Sequence, residues 1–165
     1  MPTTAVANRQ LLTPPGGGAW TTIDKTADET KTANTTLAND STLLFSMTGN
    51  AKYAVRGKIF FVTTANADFK YSFAYVTAPA SVFRVTRKHI VPGTTTLVVA
   101  VMQAADNGVA VTAVGTGTDG GYIEFDAVVN ASSSGGTFSF QWAQNTSDAG
   151  NTIVRAGSYL EWQLI

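Results

Sequence analysis

Phe138-Ser139-Phe140-Gln141-Trp142 alternates large apolar and polar side chains, and that period of two places three aromatic rings on one face of a β-strand. The same alternation closes the chain: Leu160, Trp162 and Leu164 oppose Tyr159, Glu161 and Gln163. Two other runs depart from it. Ile59-Phe60-Phe61-Val62 is apolar on both faces, whereas Phe69, Tyr71, Phe73 and Tyr75 gather their rings on one face. A strand that is dry on both sides needs cover beyond its own core, from a second layer or from a neighbouring subunit.

Working outward, runs of strand length recur at about ten-residue spacing. They are 43–47, 53–63, 69–76, 82–91, 96–102, 109–114, 122–130, 138–144, 152–155 and 159–164. Between them stand Thr48-Gly49-Asn50, Ala65 to Asp68, Pro92-Gly93, Asp106-Asn107-Gly108, Thr116 to Gly121, Ser132 to Gly136 and Ser147 to Asn151, all rich in residues that accept turn geometry. No segment of helical length keeps a 3.6-residue period. The expected fold is all-β, an antiparallel two-sheet sandwich of about ten strands.

Three segments are expected. Residues 1–19 end in Pro14-Pro15-Gly16-Gly17-Gly18, which continues neither a helix nor a central strand, so they form an N-terminal arm. Residues 20–40 are Thr-rich and weakly patterned, an extended lead-in, and residues 41–165 carry the sandwich. Because the last run reaches Ile165 without a polar tail, the final strand is expected to be integral to a sheet.

The charge balance narrows the function. Eleven basic residues match eleven acidic ones, so the positive field of a nucleic-acid or anionic-membrane binder is missing. Only 13% of residues are charged; Thr, Ser, Asn and Gly supply the polarity instead. Without cysteine there is neither a disulfide nor a thiolate metal site. No window is apolar enough for a membrane span, and Met1 to Arg9 lacks a basic and then apolar leader, so synthesis in the cytoplasm is expected. Four Asn-x-Ser/Thr sequons, at Asn34, Asn39, Asn130 and Asn145, are accordingly taken as turn composition rather than glycan sites.

Few residues could carry chemistry. The single histidine, His89, lies in Arg87-Lys88-His89 and is expected at the surface beside two cations. Glu124 and Asp126 share a strand face about 7 Å apart, a spacing that glycosidase carboxylates tolerate, but Ile123, Phe125 and Ala127 opposite them fit a solvated face equally well. Gly115-Thr-Gly117-Thr-Asp-Gly120 matches a dinucleotide fingerprint by letter and fails it by context, since a strand follows where a helix is required. It is expected to be a hairpin or sheet-crossing loop, and Asp106-Asn107-Gly108 a turn. Aromatics interleaved with Arg56, Lys58, Lys70 and Arg84 superficially fit a base-stacking sheet, against which the neutral charge balance argues. No catalytic, cofactor-binding or metal-binding residue is expected.

Three stretches carry a family likeness: Lys25 to Thr30 leading to Thr36-Leu-Ala-Asn-Asp40 and Leu43-Leu-Phe45; Tyr53 to Phe61 with Asp68 to Phe73; and Phe140 to Asn145 with Gly157 to Trp162. In these the chain resembles tailed-bacteriophage virion proteins and fibre domains with a tumour-necrosis-factor-like jelly roll. The resemblance implies a jelly-roll sandwich, a homotrimer, and attachment to the particle through the N-terminal segment. The expectation that follows is a capsid decoration, or cement, protein on the head surface, partnered by itself and by the major capsid protein or another virion protein. The alternatives are a tail-fibre or head-fibre tip that binds host saccharide, and a polysaccharide-degrading enzyme using Glu124 and Asp126. The candidate docking arm comprises Val6, Arg9, Leu11, Leu12 and Trp20; the candidate inter-subunit or inter-sheet aromatics are Phe60, Phe69, Tyr71, Phe73, Tyr75 and Tyr159.

Overall fold

A computed structural model describes residues 18–76, 82–90, 97–102, 108–113 and 117–165. The described residues form twelve strands and no helix. In chain order these are β1 (Thr21–Asp24), β2 (Glu29–Lys31), β3 (Ala38–Met47), β4 (Lys52–Thr63), β5 (Phe69–Val76), β6 (Val82–Ile90), β7 (Leu97–Met102), β8 (Val111–Ala113), β9 (Gly117–Asn130), β10 (Gly136–Gln144), β11 (Thr152–Val154) and β12 (Tyr159–Leu164). Every ladder is antiparallel.

The larger sheet runs β1-β12-β4-β9-β6-β7, with β11 and β2 joined beside β4, and the smaller runs β3-β10-β5-β8. Setting aside β2, β11 and the β6–β7 hairpin leaves eight strands in which the first pairs with the last, β1 with β12. The second pairs with the seventh, β3 with β10; the third with the sixth, β4 with β9; and the fourth with the fifth, β5 with β8. A ribbon of nested pairs rolled once onto itself is a jelly roll. The fold is therefore an all-β, antiparallel two-sheet jelly-roll sandwich.

All ten strands expected from the sequence are present, and the two it did not single out lie in the lead-in. Residues 20–40 are extended, but β1 pairs with β12 and β2 with β11, so this stretch belongs to the larger sheet. Strand β3 also starts earlier than residue 41, at Ala38.

Between the sheets lies an aromatic core in which Trp142, Tyr71, Phe61, Phe69, Phe73, Phe125, Phe138 and Phe140 are fully buried. Phe61 on β4 stacks on Phe69 of β5 at 4.2 Å between centroids, and Phe125 on β9 meets Phe73 of β5 at 4.5 Å. Rings of this size, packed pairwise across the layers, dominate the energetics of the sandwich. Gly57 makes one contact available: a Cβ there would come within 2.5 Å of the Tyr159 carbonyl oxygen and 2.8 Å of the Phe125 ring. Only a bare backbone lets Phe125 lie against β4.

Strand β3 carries an irregularity. Ser139 faces Leu44 and Gln141 faces Asn39, so β3 spends extra residues opposite a short piece of β10. The bulge leaves N–H groups out of the ladder. Asp40, completely buried, accepts those of Thr42 and Leu43 on its Oδ1, each at 3.0 Å. Its Oδ2 accepts the Trp142 indole N–H at 3.1 Å, and Oδ1 also meets the Lys25 ammonium at 2.9 Å. Lys25 donates in addition to Glu29 Oε2 at 2.9 Å, which accepts as well from the N–H and hydroxyl of Ser41. The lead-in is thus clamped to the smaller sheet by a buried ionic network.

Candidate functional site

The outward face of the larger sheet holds Arg56, Lys58, Arg84, Glu124 and Asp126, five of the polar side chains that the sequence singled out. Cross-strand partners in an antiparallel ladder share a face, so register alone builds its rows. One row runs Glu161, Arg56, Asp126, Thr86 and the next Tyr159, Lys58, Glu124, Lys88, across β12, β4, β9 and β6. A third places Phe60 opposite Tyr122. Charge alternates along the first two rows. Arg56 Nε contacts Glu161 Oε2 at 2.6 Å, and its guanidinium lies 4.1 Å from the centre of the Trp20 ring, while Glu161 Oε1 accepts from the Thr22 hydroxyl. That contact pins the first described residues of the chain onto this face.

Glu124 and Asp126 do share one face, and they line a depression of about 200 Å³ with Arg56, Lys58 and Tyr159. Each acid has a cation opposite it on β4, Lys58 for Glu124 and Arg56 for Asp126. Opposite charges facing each other in register are favourable neighbours on a sheet face, and Arg56 makes its direct ion pair with Glu161.

The candidate aromatics divide. Phe69, Tyr71, Phe73 and Tyr75 are buried between the sheets, while Phe60 and Tyr159 lie on the outward face, Phe60 exposed and Tyr159 half-buried. Trp20 is half-buried against Arg56, and Val6, Arg9, Leu11 and Leu12 lie outside the described residues. Of the glycine-rich stretch, Gly117 to Gly120 open β9, and Gly115 and Thr116 are outside the described residues, as are Asp106 and Asn107. Arg84 is exposed, and the Lys70 ammonium donates to the Thr35 carbonyl at 2.7 Å.

Beside the Phe60–Tyr122 pair is a second groove, of about 270 Å³, lined by Phe60, Val62, Gly120, Gly121, Tyr122 and Arg155. The Lys58 ammonium stands 4.4 Å from the Tyr122 ring centre and 5.5 Å from that of Phe60. The sequence alone cannot set Tyr122 against Phe60, because the pairing depends on the β4–β9 register.

His89 corrects an expectation: it is 4% exposed, not a surface residue. It shares the parity of buried Val85 and half-buried Arg87, and that face of β6 turns inward whatever the charge of the neighbours in sequence. The Tyr71 hydroxyl accepts from Arg87 Nη1 at 3.5 Å and shares a hydrogen bond with His89 Nδ1 at 3.3 Å. Burial pushes the Tyr71 phenol up to about 12 and, with the nearby Arg87 charge, holds the His89 imidazole below its ordinary value. Arg87 Nε is buried with no hydrogen-bond partner among the described residues.

A folded-state value below the unfolded 6.5 means that the unfolded chain binds this proton more readily. Stability from His89 is fully present above that value and falls as pH drops below it. Asp28 and Glu29, whose carboxyls are both held below their ordinary 3.8 and 4.5, lose their contributions only in stronger acid. Urea midpoints should therefore decline between about pH 7 and pH 5, and His89→Gln should flatten that limb. A parallel decline in the variant would show that other groups set it.

Among the described residues, no group of three or more His, Asp or Glu side chains is arranged to hold a metal ion. The chain matches no known family, no curated protein and no solved structure.

Proposed function

We propose that this chain is a structural protein of a tailed-bacteriophage particle, a trimeric decoration protein that binds the head surface and stabilises the shell. The observation that carries the reading is the nested strand pairing β1:β12, β3:β10, β4:β9 and β5:β8, since jelly rolls of this kind recur in viral shells. That is an argument by analogy of fold, to which the residues add two supports. The core is closed within one chain, so association is left to surface features. One such feature is β7, at the edge of the larger sheet, whose Val99 and Val101 are 54% and 58% exposed. An edge strand with apolar side chains in the open is suited to being covered by another chain.

The mechanism is mechanical and thermodynamic. A protein that binds only the assembled shell stabilises it by mass action, and apolar burial across capsomer joints opposes the outward pressure of packaged DNA. Purified protein is expected at three times its 17.3 kDa chain mass by light scattering. Antibody against residues 41–165 should label phage heads densely in immunogold micrographs, and particles stripped of the protein should release DNA at a lower temperature. Label confined to tail or fibre tips, or equal release temperatures, would refute the decoration role.

A further inference from the structure

We propose that the groove beside Phe60 and Tyr122 is a saccharide-binding site, taking one uncharged pyranose unit with its C–H face on the rings and its hydroxyls on Arg155 and Asp28. The inference is independent of where the protein sits on a particle.

Three features of the groove converge. The first is an aromatic wall in the open: Phe60 is 36% exposed and stands opposite Tyr122 on the adjacent strand. Lys58 lies over these rings in the cross-strand row next to theirs, while the groove lies on the glycine side, toward Gly120 and Val62. A sugar ring presents a patch of C–H groups that an aromatic face receives well, because polarised C–H bonds meet the negative face of the quadrupole.

The second is a floor cleared by glycine. Gly120 has a φ of 70°, and a Cβ there would lie 3.3 Å from the Phe61 carbonyl oxygen and 3.4 Å from Val62, so that side-chain atoms would occupy the groove. Gly121 follows it, opposite Phe61. At about 270 Å³ the space falls just short of the roughly 300–1,000 Å³ of pockets for drug-sized ligands, which suits a single ring.

The third is a polar edge that both donates and accepts: Arg155 lines the groove, and Asp28 stands next to Arg155 through their ion pair. Arg155 is held beside the groove by its main-chain N–H, which donates to the Phe60 carbonyl at 2.9 Å. Its Nη1 contacts Asp28 Oδ2 at 2.6 Å, and Asp28 Oδ1 accepts from the Ala156 N–H at 2.8 Å, with both side chains more than two-fifths exposed. The hydrogen bond from Ala156 and that from Arg155 hold the Asp28 carboxyl low, hence ionised and accepting. Guanidinium and carboxylate side by side match vicinal hydroxyls, each of which donates and accepts. Because Asp28 balances Arg155, the rim favours an uncharged sugar over a uronic or sialic acid.

The test is saturation-transfer NMR on the full chain with glucose, galactose, mannose, N-acetylglucosamine and their short oligomers. Irradiating aromatic protons should transfer saturation to the ring C–H protons of at least one sugar. Phe60→Ala, at an exposed position that leaves the core intact, and Arg155→Met should each weaken binding at least tenfold, with unchanged melting. Absence of transfer to any of these sugars overturns the site. So does transfer that persists in Phe60→Ala, or a change of oligomer mass in that variant without sugar binding by the parent.

Discussion

Removing Tyr159–Ile165 yields a chain that does not fold. Strand β12 is not a terminal ornament but the eighth strand of the roll, hydrogen-bonded to β1 on one side and to β4 on the other. Its loss strands β1, which has no other ladder among the described residues, and opens the β4 edge along Tyr53 to Lys58. It also removes Leu160, fully buried, and Trp162, whose ring stacks on Phe45 at 5.0 Å and meets Tyr53 edge-on at 5.7 Å. Truncating a buried leucine costs about 2–5 kcal/mol and a tryptophan about 3–5, before any of the lost ladder is counted. A domain of this size is stable by only about 5–15 kcal/mol. The truncated chain should show no cooperative thermal transition and no dispersed amide spectrum. A soluble deletion variant with unchanged melting would refute the integral role of β12.

Much of the fold was legible because aromatic runs and turn clusters are coupled in this chain. Phe69 to Val76 and Tyr159 to Leu164 coincide with β5 and β12 residue for residue, since each follows residues that favour a turn and alternates within. Strands β1 and β2 escaped that reading for a physical reason. Thr21-Thr22-Ile23-Asp24 offers one apolar side chain to the core, and Glu29-Thr30-Lys31 none, so their place is set by ladder partners more than a hundred residues away. Local pattern carries no trace of such partners. His89 was misplaced because its charged neighbours were weighed above its parity with Val85. The Phe60–Tyr122 wall was invisible for the same reason as β1: the two rings are neighbours only through register.

On the outward face Glu124, half-buried, stands in register between Lys58 and Lys88, and Asp126, exposed, between Arg56 and Thr86. Such a face is suited to matching a surface of complementary charge pattern, which confers specificity more than raw affinity. A shell-binding protein has use for that property.

Replacing Asp40 by Ala should cost about 3–5 kcal/mol, the range for stripping one partner from a buried ion pair. The variant would leave the Lys25 ammonium, 2% exposed, with Glu29 as its remaining carboxylate, and would orphan the Trp142 indole N–H and the bulge N–H groups of Thr42 and Leu43. Lys25→Met should cost less, because Asp40 keeps three N–H donors that stabilise its charge. The order of the two single variants distinguishes this network from a simple pair, in which either loss would weigh alike. A second distinction comes from the double variant Lys25→Met with Asp40→Leu. A simple buried pair exchanged for apolar residues is often neutral or stabilising, whereas here the bulge and the indole remain unsatisfied and the double variant stays well below the parent. Urea unfolding of all four proteins measures both effects. If Asp40→Ala costs under about 1 kcal/mol, the clamp contributes no more than a surface pair, and the lead-in is held by the β1–β12 and β2–β11 ladders instead.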